Sequence, residues 1–272
     1  MPNLTGGGGG PDLAGGGGPG VAGRGGPDLM QAGGAGTAVR TGLGIYDFAH
    51  PLVAPSQWAE LTRPGTPLDW VVLNVAAGPG VRPDSQCLEA SGRLRNGGVR
   101  VLGHLDLAHG TRSHADLLGD AHRHLDWYQV DGFLLERCPA DRAALPEVRR
   151  LVTTLRALRE GAHIVLGHGC HPHPGYAENA DQLLTFRGSW SEYRWSQVAE
   201  WTADYPADRF CHVVHGVPRG HLEEALRIAR WQGAGTVYLT DRTDRGGQEN
   251  PWETMPGYWD EIVSRVGTGV SE

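Results

Sequence analysis

Long apolar runs are missing from this sequence. No stretch approaches the roughly eighteen apolar residues that a membrane-spanning helix needs, so a membrane is excluded as a partner. Runs of basic residues with interleaved aromatics are also missing. With a net charge of −7, that argues against nucleic acid. Cysteine is scarce: Cys87, Cys138, Cys170 and Cys211 lie 32 to 51 residues apart, with no Cys-x-x-Cys unit. This disfavours both a zinc finger and a disulfide scaffold. Three of the four follow or sit within apolar runs and are expected to be buried thiols. No strand feeds a Gly-x-Gly-x-x-Gly loop, which removes the dinucleotide-binding fingerprint.

What is abundant is glycine, and much of it is at the start. GGGGG stands at 6–10 and GGGG at 15–18. Glycine loses the most backbone entropy on folding and buries no side chain, so residues 1–41 are expected to form a disordered tail. The glycines lack the strict period of three of collagen. The tail also lacks the apolar core of a signal peptide, from which a cytoplasmic location is expected.

The rest of the chain has the size of one α/β barrel. Eight short apolar runs recur at 43–48, 70–75, 99–105, 130–136, 163–168, 182–186, 210–215 and 236–240, with starts 19 to 33 residues apart. One strand, its helix and the return loop need about that span. The runs are nearly continuous rather than alternating, as expected of strands covered on both faces. Helical spacing appears between them at 56–61, 84–96, 114–128, 145–160, 191–205, 220–232 and 259–266, with a shorter segment at 176–180. The pattern predicts a single-domain (β/α)₈ TIM-like barrel over 42–268. An open doubly wound sheet is the alternative.

In such a barrel the site forms at the carboxyl ends of the strands. In strand order these ends offer Asp47, Asn74, His104 with Asp106 and Arg112, Glu136 with Arg137, His168, Arg187 with Trp190, and His212 with His215. The last offers Asp241 and Asp244, with Asn250 and Trp252 beyond. Glu136 closes a buried run with no evident surface position, which suits an acid, a nucleophile or a sugar anchor. Asp47 and Asp106 either face the pocket or serve as caps, Asp106 with Arg112 as a further partner. Trp190 and Trp252 fall in loops, where flat rings can stack on sugars. Trp195, Trp201 and Trp259 are read instead as packing helices against the sheet. His168, His171 and His173, with His104, His212 and His215, have spacings open to zinc or manganese. A histidine satisfied by ordinary hydrogen bonds is the commoner case, so no metal and no other cofactor is assigned.

The stretches WVVLNVAAGPG (70–80), VRVLGHLDLAHGTR (99–112), YQVDGFLLER (128–137), HPGYAENADQLLTFRGSW (173–190) and VYLTDRTDRGGQENPWETMPGYW (237–259) resemble the spherulin-4 family. This family is related to hydrolases of galactosaminogalactan. The resemblance implies a TIM-like barrel and endo-acting hydrolysis of α-1,4-linked N-acetylgalactosamine or galactosamine polymers.

Three departures stand out against it. Family members commonly end strand four with Phe-Asp-Glu, where this chain has Leu135, Glu136 and Arg137. Strand six commonly ends Phe-Glu, where this chain has Phe186 and Arg187. Tyrosines near the end of strand three are replaced by His104 and His109. A glycosidase normally flanks the scissile bond with two carboxyl groups, and arginine, always protonated, cannot act as acid or base. The expected catalytic set is therefore Glu136 with Asp106 or Asp241, with Asp47 as a further candidate for the second carboxylate, or with a histidine. Asp47, Asn74, His104, Arg112, Arg137, His168, Arg187, Trp190 and Trp252 are expected to bind substrate. The two arginines either hold an anionic group of the ligand or pair with Glu136. The resulting expectation is a glycoside-hydrolase-like monomer or weak homodimer acting on an oligosaccharide or a polar, even anionic, small molecule. The alternatives are a carbohydrate binder without catalysis and a metal-dependent hydrolase or lyase.

Overall fold

The eight apolar runs become eight parallel strands because each buries both faces. They are β1 (Gly42–Ile45), β2 (Leu68–Leu73), β3 (Arg100–Asp106), β4 (Gly132–Glu136), β5 (His163–Gly167), β6 (Gln182–Ser189), β7 (Phe210–His215) and β8 (Thr236–Leu239). They hydrogen-bond in sequence order, and β8 closes onto β1 through Leu43 and Val237. The computed structural model describes residues 41–244 and 250–267. The expected glycine-rich tail lies outside the described residues, apart from Thr41. Among the described residues no helix is long and apolar enough to cross a membrane.

The helices are α1 (Pro55–Leu61), α2 (Ser85–Asn96), α3 (His114–Tyr128), α4 (Leu145–Leu158), α5 (Trp190–Tyr193), α6 (Leu222–Trp231) and α7 (Trp259–Gly267). The starts of α2, α3 and α5 are written in short polar side chains. Asp84 accepts from the amides of Gln86 and Cys87 at 2.9 Å, and Ser113 accepts from Asp116 at 3.2 Å. Helix α4 buries Val148, Leu151, Val152 and Leu155, the stripe visible in the sequence.

One predicted helix is overturned. The segment 191–205 does not form a continuous helix: α5 stops at Tyr193, and a short 3-10 turn follows at Glu200–Asp204. Trp190 and Tyr193 are buried, but Trp195 is 79 % exposed, so no apolar stripe continues. Ser196 is held instead by the side-chain amide of Gln232, which donates to its carbonyl (3.1 Å) and hydroxyl (2.9 Å). Trp195 therefore does not pack a helix on the sheet, unlike Trp201 and Trp259, which do join or flank the core.

The lower barrel is plugged by Trp70, whose indole N–H donates to Gln182 Oε1 at 2.7 Å. Gly44 makes this possible, since a Cβ there would sit 2.5 Å from the Trp70 ring. A filled floor leaves the opposite end as the open mouth. Cys87, Cys138 and Cys211 are buried and Cys170 is exposed, all as free thiols.

Candidate active site at the barrel mouth

Strand ends and the loops beyond them enclose a cavity of about 470 Å³. At its centre Glu136, the last residue of β4, is only 7 % exposed. Burying a carboxylate requires partners, and it has two. The Tyr46 hydroxyl, one residue past β1, donates to Glu136 Oε2. Arg187 of β6 pairs with Oε1, and the same guanidinium nitrogen donates to the Tyr46 oxygen at 2.6 Å. Burial, and then the Glu136 charge, hold the Tyr46 phenol well above its ordinary value, so it stays a proton donor.

Asp106 is the register partner of Glu136 on the adjacent strand. Arg137 grips it with both arms of the guanidinium, Nε to Oδ1 at 2.8 Å and Nη2 to Oδ2. Arg137 has left-handed backbone (φ 49°) directly after β4, and its side chain lies against the neighbouring strand. The Ala108 amide adds a third donor to Asp106 at 2.9 Å. The Arg137 hydrogen bond, opposed by partial burial, leaves the Asp106 carboxyl below the usual carboxylate range. Asp106 thus both lines the cavity and caps a turn, and its ion-pair partner is Arg137 rather than Arg112.

Asp47 is held by neutral donors. Asn74 donates to Oδ1 at 2.9 Å and Asn250 to Oδ2 at 2.8 Å. Asn74 is itself oriented by the Gly78 amide, and Asn250 by the Trp252 amide. Trp252 forms a wall of the cavity, edge-on to Tyr46 (5.9 Å) and to His215 (5.3 Å). His104 also lines the mouth.

Of the residues expected in the site, Asp47, Asn74, His104, Asp106, Glu136, Arg137, Arg187 and Trp252 converge on this cavity. Four do not. Asp241 accepts from the Gly257 amide at 2.9 Å, outside the cavity lining. Arg112 pairs with the buried Asp120, which also takes Arg123. His168 reaches the Cys138 carbonyl at 3.3 Å and stands edge-on to Tyr176; burial pushes it down to about 4. Trp190 is the buried first residue of α5, packed on Tyr193 and His221.

Sequence reasoning missed Tyr46, read as one more apolar strand residue. It also left Asn250, His215 and Asp244 out of the ligand set. Tyr46 sits immediately before Asp47, and a tyrosine at a strand end beside a carboxylate was the available signal.

The strand-end histidines do not gather around one point. His212 bonds the Tyr193 hydroxyl (2.8 Å) and Thr185 (3.1 Å), and His173 accepts from the Gly175 amide. Among the described residues, His50, Asp84 and Cys87 do bring three potential ligand atoms together. His50 Nδ1 accepts from the Leu52 amide at 3.2 Å, so Nε2 carries the proton towards Cys87 and Asp84. Asp84 is committed to capping α2, and burial raises the Cys87 thiol to about 12. This is a hydrogen-bonded clasp between the loop after β1 and the start of α2.

An eight-stranded parallel barrel with carboxylates, arginines and aromatics ringed at the carboxyl ends of its strands defines the (β/α)₈ TIM-barrel class. The profile of spherulation-specific family 4 (Spherulin4) matches residues 47–266, and the chain belongs to that family. Its fold is similar to that of Aspergillus clavatus Sph3, a structure in complex with GalNAc. The TM-score is 0.70 at 21 % identity, covering 84 % of this chain and 98 % of that one. The glycoside hydrolase domain of PelA from Pseudomonas aeruginosa matches at TM-score 0.46 and 16 % identity, over 74 % of this chain and 95 % of that one. No curated protein sequence matches.

Proposed function

We propose that the barrel mouth is a carbohydrate site of glycoside-hydrolase type that binds an amino-sugar glycan without the two-carboxylate hydrolysis of its family. One observation carries this reading: the two register-paired carboxylates, Glu136 and Asp106, are each committed to an arginine. A general acid must hold a proton near neutral pH, which needs a raised pKa. Asp106 is shifted the other way. Asp241, another expected partner, lies outside the cavity, and Asp47, a third, accepts hydrogen bonds from Asn74 and Asn250.

The charge balance speaks against an anionic ligand. Among the described residues, Asp47, Asp106, Glu136 and Asp244 line the mouth against Arg137 and Arg187. With the histidines neutral, that is a surplus of two negative charges. Neutral hydroxyls, an N-acetyl group or a free amine suit it better than a uronate or phosphate. Sph3, the similar fold, was captured with GalNAc, which agrees with this sugar class.

Isothermal titration with oligomers of N-acetylgalactosamine and of galactosamine tests binding, and mass spectrometry of the same mixtures tests cleavage. Saturable binding with intact oligomers after prolonged incubation is expected. Release of shorter oligomers that is abolished in Glu136→Gln would refute the non-hydrolytic reading. It would favour a second one, motivated by the Tyr46–Glu136–Arg187 chain. There an anionic Glu136 acts as nucleophile and a mouth histidine as proton donor.

A further inference from the structure

His104 carries a hydrogen-bond imbalance at the barrel mouth. Its Nδ1 is buried and has no partner. The ring lines the mouth cavity, which leaves Nε2 as the nitrogen a ligand can reach. The backbone around it is fixed. The buried His124 donates from Nε2 to the His104 carbonyl at 3.0 Å. Gly103 has no Cβ, and one would lie 2.7 Å from the His124 ring. The backbone that carries His104 is therefore held in place.

A buried N–H without an acceptor is costlier than a buried lone pair, because the donor forfeits the stronger hydration. A proton on Nδ1 would be such an orphan, whether in the Nδ1–H tautomer or in the imidazolium. Geometry alone thus selects the neutral ring with its proton on Nε2. Burial acts in the same direction, holding His104 below the usual histidine range against the opposing pull of Glu136, Asp47 and Asp106. Arg112, from the other side, also disfavours the cation.

We infer that His104 is a neutral hydrogen-bond donor whose Nε2–H reads a hydroxyl oxygen of the bound sugar, while that hydroxyl donates its own hydrogen bond to a neighbouring carboxylate. The ligand half of this inference rests on the carbohydrate reading above; the tautomer half does not. A hydroxyl satisfies both demands because it accepts one hydrogen bond and donates another. A carboxylate of the ligand would meet Asp47, Asp106 and Glu136 without a proton to offer. An ammonium group would face Nε2–H donor to donor. His104 is in this way a specificity device: it admits a hydroxyl at this position and rejects either charge.

Two measurements on the full-length protein test this. Long-range proton–nitrogen NMR of the imidazoles distinguishes the two neutral tautomers and the cation. His104 is expected as neutral Nε2–H at pH 7, with its Nε2 resonance moving when an N-acetylgalactosamine oligomer is added. In titration calorimetry His104→Leu should weaken that oligomer at least tenfold. His104→Gln, whose amide nitrogen can stand near the Nε2 position, should bind within about threefold of the parent. An Nδ1–H or cationic ring at pH 7 would overturn the inference. So would a parent that binds the oligomer and a His104→Leu variant that binds it equally. A parent that binds no oligomer, with Nε2–H still observed, would overturn the carbohydrate reading and the ligand half with it.

Discussion

Removing the guanidinium of Arg187 should expose how the mouth is stabilised. In Arg187→Met the apolar stem is kept, and Glu136, whose side chain is 9 % exposed, loses the guanidinium it pairs with. Breaking a fully buried ion pair by deleting one partner costs about 3–5 kcal/mol, and an exposed pair about 0–1 kcal/mol. Arg187 is 39 % exposed, so solvent screens part of the interaction, and the Tyr46 hydroxyl still donates to Glu136. The expected loss is about 2 kcal/mol, or about 4–8 °C in Tm for a domain of this size. The control is Arg137→Met: its pair with Asp106 is more open, the side chains being 44 % and 23 % exposed. That variant should stay near the parent. The second arm is Glu136→Gln in the Arg187→Met background, which removes the stranded charge and should recover most of the loss. Equilibrium urea unfolding of the four proteins reads all of this. Equal losses for the two arginine variants, or a double variant no more stable than Arg187→Met, would refute the argument that Glu136 is a buried charge in need of compensation.

Three further outcomes follow from the geometry. Acidification from pH 7 to pH 5 should lower the urea midpoint, because burial holds His124 and His168 at about 4 and His212 at about 3. Their folded values lie below the unfolded value of about 6.5, so the unfolded chain binds more protons in this window and stability rises with pH. The contribution is complete above about pH 6.5 and is lost as pH falls towards those folded values; His168→Phe should flatten the dependence by up to one proton, and an unchanged slope would exclude His168. Gly103→Ala should destabilise by about 1–3 kcal/mol through overpacking against His124. Gly92→Ala, in α2 with nothing within 4 Å of the added methyl, should instead stabilise by about 0.5–1 kcal/mol in the same unfolding assay.

Most of the site was legible in the sequence for one reason. A parallel barrel places its strand ends on one face, so polar residues that close apolar runs are brought together whatever their separation along the chain. Asp47, Asn74, His104, Asp106, Glu136, Arg137 and Arg187 were all found this way. The residues that strayed turn away from the mouth even where they follow a strand directly, as His168 does after β5 and Trp190 after β6. Trp190 begins a helix and turns into the core, and Asp241 turns to the backbone of Gly257. Tyr46 was hidden because a tyrosine in an apolar run reads as core; only its hydroxyl, aimed at Glu136, makes it part of the site.

Periodicity was sufficient for the scaffold. Strand and helix positions follow from local apolar spacing and caps such as Asp84 and Ser113, which report burial and unpaired backbone groups within a few residues. Family membership likewise follows from the order of local motifs. The sequence left open whether the two arginines serve a ligand or the protein's own carboxylates, because both choices use the same residues. Tertiary structure settles that pairing: Arg187 lies across the barrel from its position in the chain, against Glu136 and Tyr46, and Arg137 folds back onto Asp106. Charge pairing depends on distances of a few ångströms between residues up to 141 positions apart, and no local pattern encodes those.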